Sequence, residues 1–182
     1  LKVIDARGKP VPASMWAKGN TIVLAIDDRQ AHWPLLVDPL LTASYDTLLE
    51  ADQADAWFGY SVAGAGDVNG DGYSDVIVGA TFFDNGQANE GAAFVYHGSA
   101  AGLSMTASAQ LESNQVDAWF GMSVAGAGDV NGDGYSDVIV GARSYDNGEA
   151  NEGAAFVYHG SAAGVSMTAS AQLESNQVDA WF

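Results

Sequence analysis

Oxygen-bearing side chains recur at alternate positions of two short loops: Asp67-Val68-Asn69-Gly70-Asp71-Gly72-Tyr73-Ser74-Asp75 and its repeat from Asp129 to Asp137. Counted from the first aspartate, Asp67, Asn69, Asp71 and Asp75 hold positions 1, 3, 5 and 9, and Gly72 holds position 6, where a sharp turn is needed. Asp129, Asn131, Asp133 and Asp137 repeat the pattern. Ca²⁺ takes six to eight oxygens at about 2.3–2.6 Å, and alternating carboxylates on a curled loop bring such oxygens to one point. Tyr73 and Tyr135, at position 7, offer backbone carbonyls, and water completes each shell. Mg²⁺ requires stricter octahedral geometry and keeps several waters. Two Ca²⁺ ions, one per loop, are therefore the expected cofactors, and they would move the formal charge from −17 to −13.

An EF-hand shares this spacing but needs a bidentate Glu at position 12 and a helix on each side. Position 12 is Val78 in one loop and Val140 in the other, each inside an apolar run, so the ion site is expected in a β setting. The competing reading is an Asp/Asn/Gly turn that satisfies its own backbone and binds nothing. Against it, three carboxylates converge in each loop and neither loop contains Lys or Arg.

The loops belong to a longer duplication. Residues 58–119 and 120–181 align without a gap as two 62-residue copies that differ at six positions: Tyr60/Met122, Thr81/Arg143, Phe82/Ser144, Phe83/Tyr145, Gln87/Glu149 and Leu103/Val165. A period of this length marks one supersecondary unit used repeatedly. Four β segments are expected in a copy, at 60–66, 75–80, 92–98 and about 107–113, and none shows helical periodicity. The first is made of small residues that fit a crowded central strand, while Val76-Ile77-Val78 and Ala93-Phe94-Val95-Tyr96 are apolar on both faces, as in a sheet covered on two sides. Four antiparallel strands with a small inner strand describe a propeller blade, giving an all-β class.

Residues 47–57 parallel 109–119 and 171–181 and are expected to be a leading outer strand. Ahead of them, 1–5, 13–17 and 21–27 read as short strands of a small β-module, or the tail of one, spanning 1–39, with 40–46 as a linker. The chain starts at Leu1 and stops at Phe182, the first residue of a third copy, so a processed product or an excised piece is expected.

Composition removes several functional classes. With 23 acidic residues against six basic ones, the chain repels phosphate backbones and anionic membrane surfaces, so nucleic acid is not an expected partner. No apolar run reaches the ~20 residues of a spanning helix, so no membrane insertion is expected in this segment. Cysteine is absent, which removes disulfides and thiolate metal sites and is neutral about compartment.

Phe58-Gly59-Tyr60-Ser61-Val62-Ala63, followed by the acidic loop and Val78-Gly79-Ala80, resembles the FG-GAP repeat over both copies. The resemblance implies blades of the seven-bladed β-propeller found in integrin α-subunits and related bacterial surface proteins. It also implies calcium in a loop between the first and second strands, stiffening one face. Trp33-Pro34-Leu35-Leu36-Val37-Asp38-Pro39 is similar to a segment that precedes such arrays in large bacterial extracellular proteins. Two copies cannot close a ring of four to eight blades. Either the chain is a slice of a longer array, or several copies assemble into a homo-oligomer or fibre.

Other candidates carry less. His97 and His159 recur beside Tyr96 and Tyr158 and read as packing or hydrogen-bonding residues, and His32 has no partner signature. Ser61 misses the spacing of a nucleophile elbow. Asp84, Glu90, Asp146, Glu149 and Glu152 could be imagined as an acid–base pair, but Asp84-Asn85-Gly86 is an ordinary turn and an active site duplicated with every blade would be unusual, so no enzyme activity is expected in this segment. Trp57, Trp119 and Trp181 read as wedges between blades in preference to carbohydrate platforms. Thr81, Phe82, Phe83 and Gln87, varied to Arg143, Ser144, Tyr145 and Glu149, make one loop after the second strand the candidate recognition surface; neutral drift is the alternative. The expected function is a calcium-stabilised structural or adhesive segment at the cell surface or outside the cell. Its partners would be a protein or glycan ligand, or further copies of itself. A lectin-like binder and a non-catalytic appendage of a secreted enzyme are the alternatives.

Overall fold

The computed structural model describes residues 2–18, 21–38 and 47–181. The expected linker at 40–46 and residue 182 lie outside the described residues. Among the described residues there are twelve strands and no helix, and the chain divides into two compact units, 1–45 and 46–182.

In the first unit, β1 (Lys2–Ile4) pairs antiparallel with β4 (Leu36–Asp38), and β2 (Ala13–Lys18) with β3 (Thr21–Ile26). Among the described residues Val3 and Val11 are its buried apolar ones, and the buried Asp5 carboxylate accepts the amides of Arg7 and Lys9, both at 2.9 Å. The Lys9 amide holds the Asp5 carboxyl below its ordinary range, against the opposing effect of burial.

The second unit contains two four-stranded antiparallel blades. The first is β5 (Phe58–Gly66), β6 (Asp75–Ala80), β7 (Ala92–Tyr96) and β8 (Ala109–Glu112), paired in that order. The second repeats it with β9 (Phe120–Gly128), β10 (Asp137–Ala142), β11 (Ala154–Tyr158) and β12 (Ala171–Glu174). Registers match residue for residue: Val78 faces Phe94 as Val140 faces Phe156. Antiparallel order places the β5–β6 and β7–β8 connections at one end of a blade and the β6–β7 and β8–β9 connections at the other.

The blades pack face to face. Ala65, Ile77, Ala93, Val95 and Leu111 of the first meet Phe120, Val138, Val140, Ala154, Phe156 and Tyr158 of the second in one buried cluster. Small residues let the inner strands approach, and Ser61 Oγ donates to the Gly121 carbonyl at 2.7 Å. The Phe120 amide donates to the Glu90 carbonyl at 2.9 Å.

Residues 47–57 carry no strand, which corrects the expected leading outer strand. Their counterparts in β8 and β12 hydrogen-bond to β7 and β11, and among the described residues no third strand of a preceding blade stands beside 47–57. The segment still packs by its side chains: Leu49 and Ala51 lie on the cluster of Val78, Ala80, Ala92, Phe94 and Tyr96. Apolar complementarity survives where the backbone has nothing to pair with.

Candidate functional site

The acidic loops occupy the same end of both blades and fold around their own amides. Asp67 Oδ1 accepts the Gly70 amide at 2.7 Å and that of Asp71 at 3.1 Å, and Oδ2 accepts that of Gly72 at 2.8 Å. Asn69 Oδ1 accepts the same Asp71 amide at 3.0 Å, so oxygens from positions 1 and 3 already face one point. Asp71 Oδ1 accepts the Tyr73 amide at 2.9 Å. That bond and the Asn69 side-chain amide hold the Asp71 carboxyl below its ordinary range. Asp129, Asn131, Asp133 and Tyr135 reproduce these contacts, and the Tyr135 amide lowers Asp133 in the same way.

Position 9 differs in kind. Asp75 and Asp137 are fully buried, and both oxygens of each are engaged by backbone. Asp75 Oδ2 accepts the Val68 amide and Oδ1 the Gly98 amide, both at 2.8 Å; Asp137 does the same with Val130 and Gly160 at 2.8 and 2.9 Å. These carboxylates tie the loop to the β7–β8 or β11–β12 connection. Among the described residues no three carboxylate or histidine groups converge as a ready metal cluster. The donor chemistry at positions 1, 3, 5 and 7 nevertheless suits a hard cation: oxygens alone, from two carboxylates, an amide and a backbone carbonyl, with no Lys or Arg in either loop.

The first loop also forms part of the blade joint. The Ser136 amide donates to the Asp67 carbonyl at 2.9 Å, Ser136 Oγ accepts the Asp67 amide at 3.2 Å, and the Ser161 amide donates to the Val68 carbonyl at 3.0 Å. His97 sits nearby, half-buried, with its ring against Gly164.

The opposite end carries the variable loop and the tryptophans. Its variable residues divide. Thr81 and Ser144 are buried, while Phe83 and Tyr145 pack edge-on against Phe94 and Phe156 at 5.2 and 5.1 Å. Gln87 is half-buried and Glu149 is exposed. Phe82 and Arg143 reach the tryptophans instead. Phe82 meets Trp57 at 4.7 Å and Trp119 at 5.7 Å between ring centroids, and the Arg143 guanidinium lies 5.7 Å from Trp119 and 4.4 Å from Trp181. Trp57, Phe82, Trp119, Arg143 and Trp181 thus alternate along one ladder.

The expected burial of the tryptophans as wedges is corrected. Trp57 is 55% exposed and Trp181 43%, and Trp119 is half-buried. Each has a left-handed backbone, φ 54, 55 and 54°, that turns the indole outward; in the second blade the following Phe120 takes the wedge position and is fully buried. Glu90 and Glu152, two of the carboxylates weighed as an acid–base pair, have a structural place. Both are fully buried, accepting the Asn85 and Asn147 amides at 2.7 and 2.6 Å, and burial raises the Glu90 carboxyl above its ordinary range. Their neighbours in sequence are polar turn residues, so no local pattern signals that burial.

With this geometry in place, comparison with known proteins agrees with the repeat. A family profile described as the FG-GAP repeat matches residues 58–96 and 120–158, which hold the first three strands and the acidic loop of each blade. The chain carries two FG-GAP repeats. The FG-GAP region is similar to integrin alpha pat-2 of Caenorhabditis briggsae, 45% identical over 94 residues, 48% of this chain and 8% of that protein. Integrin alpha-7 of Mus musculus is 36% identical over 133 residues, 73% of this chain and 11% of its own length. Integrin alpha-5 of Xenopus laevis is 40% identical over 93 residues, covering 49% and 9%. The chain therefore spans about a tenth of the length of these relatives. The likeness places it with extracellular or cell-surface proteins, and no helix among the described residues is long and apolar enough to cross a membrane.

Proposed function

We propose that this chain is a calcium-stabilised extracellular FG-GAP segment with a structural or adhesive role and no catalytic one. The observation that supports calcium is the shared Asp71 amide, toward which Asp67 Oδ1 and Asn69 Oδ1 both point without a counter-charge. Asp67, Asn69, Asp71 and the Tyr73 carbonyl would hold one ion; Asp129, Asn131, Asp133 and the Tyr135 carbonyl a second. Bound calcium would replace mutual repulsion of the carboxylates with attraction and stiffen both sides of the blade joint at that end.

Extracellular modules bind calcium with Kd of about 0.1–1 mM. At ten times Kd each site adds about 1.4 kcal/mol of stability. Two sites should raise the melting temperature by on the order of 10 °C. Scanning calorimetry in calcium and in EDTA tests this; equal melting temperatures, with no heat on calcium titration, would show the loops to be self-satisfied turns.

A second reading, ligand capture, draws on the exposed ladder. Aromatic faces flanking a cation suit the apolar face of a sugar ring or a side chain of a protein ligand. A glycan-binding screen on wild type and Trp119→Ala addresses the sugar case. Binding lost in the variant supports it, and no binding by wild type at millimolar glycan removes it.

A further inference from the structure

The sequence contains four Asn-Gly steps, two in the acidic loops, at Asn69-Gly70 and Asn131-Gly132, and two at the opposite end of the blades, at Asn85-Gly86 and Asn147-Gly148. In such a step the glycine amide nitrogen can attack the asparagine side chain, because the glycine has no side chain to block the approach. The fold treats the two pairs differently. The Gly70 and Gly132 amides donate to Asp67 Oδ1 and Asp129 Oδ1, both at 2.7 Å. The Asn69 and Asn131 side chains are held in the same loops, donating to Asp71 and Asp133 at 2.9 and 2.8 Å. Gly86 and Gly148 are exposed, and among the described residues their amides meet no acceptor.

Asn85 and Asn147 are exposed as well, and what they hold in place is the loop itself. Asn85 Nδ2 donates to Glu112 Oε2 on β8 at 2.8 Å, and Asn147 Nδ2 to Glu174 Oε2 on β12 at 2.6 Å. Their backbone amides donate to the buried Glu90 and Glu152 carboxylates. Asp84 and Asp146 precede them in sequence. Each asparagine is thus a neutral donor set among carboxylates, and it ties the loop to the outer strand of its own blade. Both blades show the same arrangement, so it belongs to the repeat and not to whatever packs against either copy.

We propose that Asn85 and Asn147 are sites of spontaneous deamidation, and that their conversion releases this loop from the outer strand. The Gly86 nitrogen bonds to Asn85 Cγ and gives its proton to solvent; the bond from Cγ to Nδ2 breaks, and Nδ2 leaves as ammonia after taking a proton from water. Water then opens the cyclic imide at either carbonyl, leaving aspartate or isoaspartate at position 85. Gly148 and Asn147 react in the same way. The reaction consumes water alone, and nothing is oxidised or reduced. The product carboxylate accepts hydrogen bonds and donates none, so the contact with Glu112 or Glu174 becomes a repulsion between like charges. Isoaspartate also reroutes the backbone through the side-chain carbon. Phe82, which stands between Trp57 and Trp119, belongs to the released loop, so the change reaches the aromatic ladder. This modification goes beyond the calcium reading and does not depend on it.

Peptide mass mapping of the 182-residue chain, incubated folded in EDTA at mildly alkaline pH, tests the site, with peptides long enough to include one of the six differing positions. Acid should accumulate at 85 and 147, with ammonia released in equal amount. At 69 and 131 it should form at least about tenfold more slowly, because the glycine amide must first leave a carboxylate. In urea all of these positions should react at similar rates. Asn85→Gln, whose longer side chain closes such a ring far more slowly, should stop the reaction at 85 and leave 147 unchanged. Equal folded rates at all these positions, or conversion at 85 and 147 only after unfolding, would overturn the assignment. Asn85→Asp should speed hydrogen exchange of the amides at 85 and 91 about tenfold, the weight of a lost hydrogen bond to a charged group. Unchanged exchange in that variant would overturn the release of the loop.

Discussion

Gly59 and Gly121 stand at the same position of the two copies, in the same local sequence, with φ of 84° and 79°. An alanine at either would be held in the left-handed region at a cost of about 1–2 kcal/mol. Beyond that the two differ. A Cβ on Gly59 meets nothing within 4 Å, whereas one on Gly121 would overlap the Ala92 carbonyl oxygen and crowd the Gly79 Cα at 3.3 Å. Gly121→Ala should therefore destabilise more than Gly59→Ala, by roughly 1–3 kcal/mol of overpacking, in denaturant titrations of the two variants. Equal losses would mean that backbone conformation alone accounts for the glycine. The duplication in the sequence fixes the left-handed turn at both sites, but only the second is pressed against a neighbour.

At the level of elements, the acidic loop is two devices joined end to end. Positions 1, 3 and 5 curl an exposed loop, and position 9 is a buried tie between strands. Asp75→Asn keeps one acceptor oxygen but turns an amide donor toward a backbone N–H, leaving a buried donor unpaired at about 1–3 kcal/mol. That loss should appear in EDTA as well as in calcium. Asp71→Asn should change the melting temperature little in EDTA and reduce the gain on adding calcium. If Asp75→Asn were harmless without calcium, position 9 would be a ligand and nothing more. The strands themselves were legible in advance: small inner residues, doubly apolar middle runs and Gly/Asp turns predict β5 to β7 within one or two residues. The segment 47–57 was not, because strand formation there depends on a partner strand that local sequence does not supply.

On the scale of the whole molecule, the meaning of a residue depends on which blade face it occupies and whether another blade lies there. Val68 and Val130 have identical neighbours in sequence and opposite burial. The tryptophans show the same dependence in another form. Their recurrence marked them as structural, yet they line one ladder with Phe82 and Arg143, exposed at Trp57 and Trp181 and half-buried at Trp119, drawing two of the six variable positions into one surface. Thr81, Ser144, Phe83 and Tyr145, which vary in the same loop, are instead absorbed into the blades, so the varying positions do not share one surface.

The all-β class, the 62-residue unit, the four strands of each blade and the oxygen-rich loop follow from sequence alone, because turn chemistry and two-residue periodicity act locally. Tertiary structure alone decided that Asp75, Asp137, Glu90 and Glu152 are buried, and that Phe120 and not Trp119 is the wedge. Those outcomes depend on packing between segments about sixty residues apart, and two nearly identical sentences of sequence cannot state which of their faces has a neighbour.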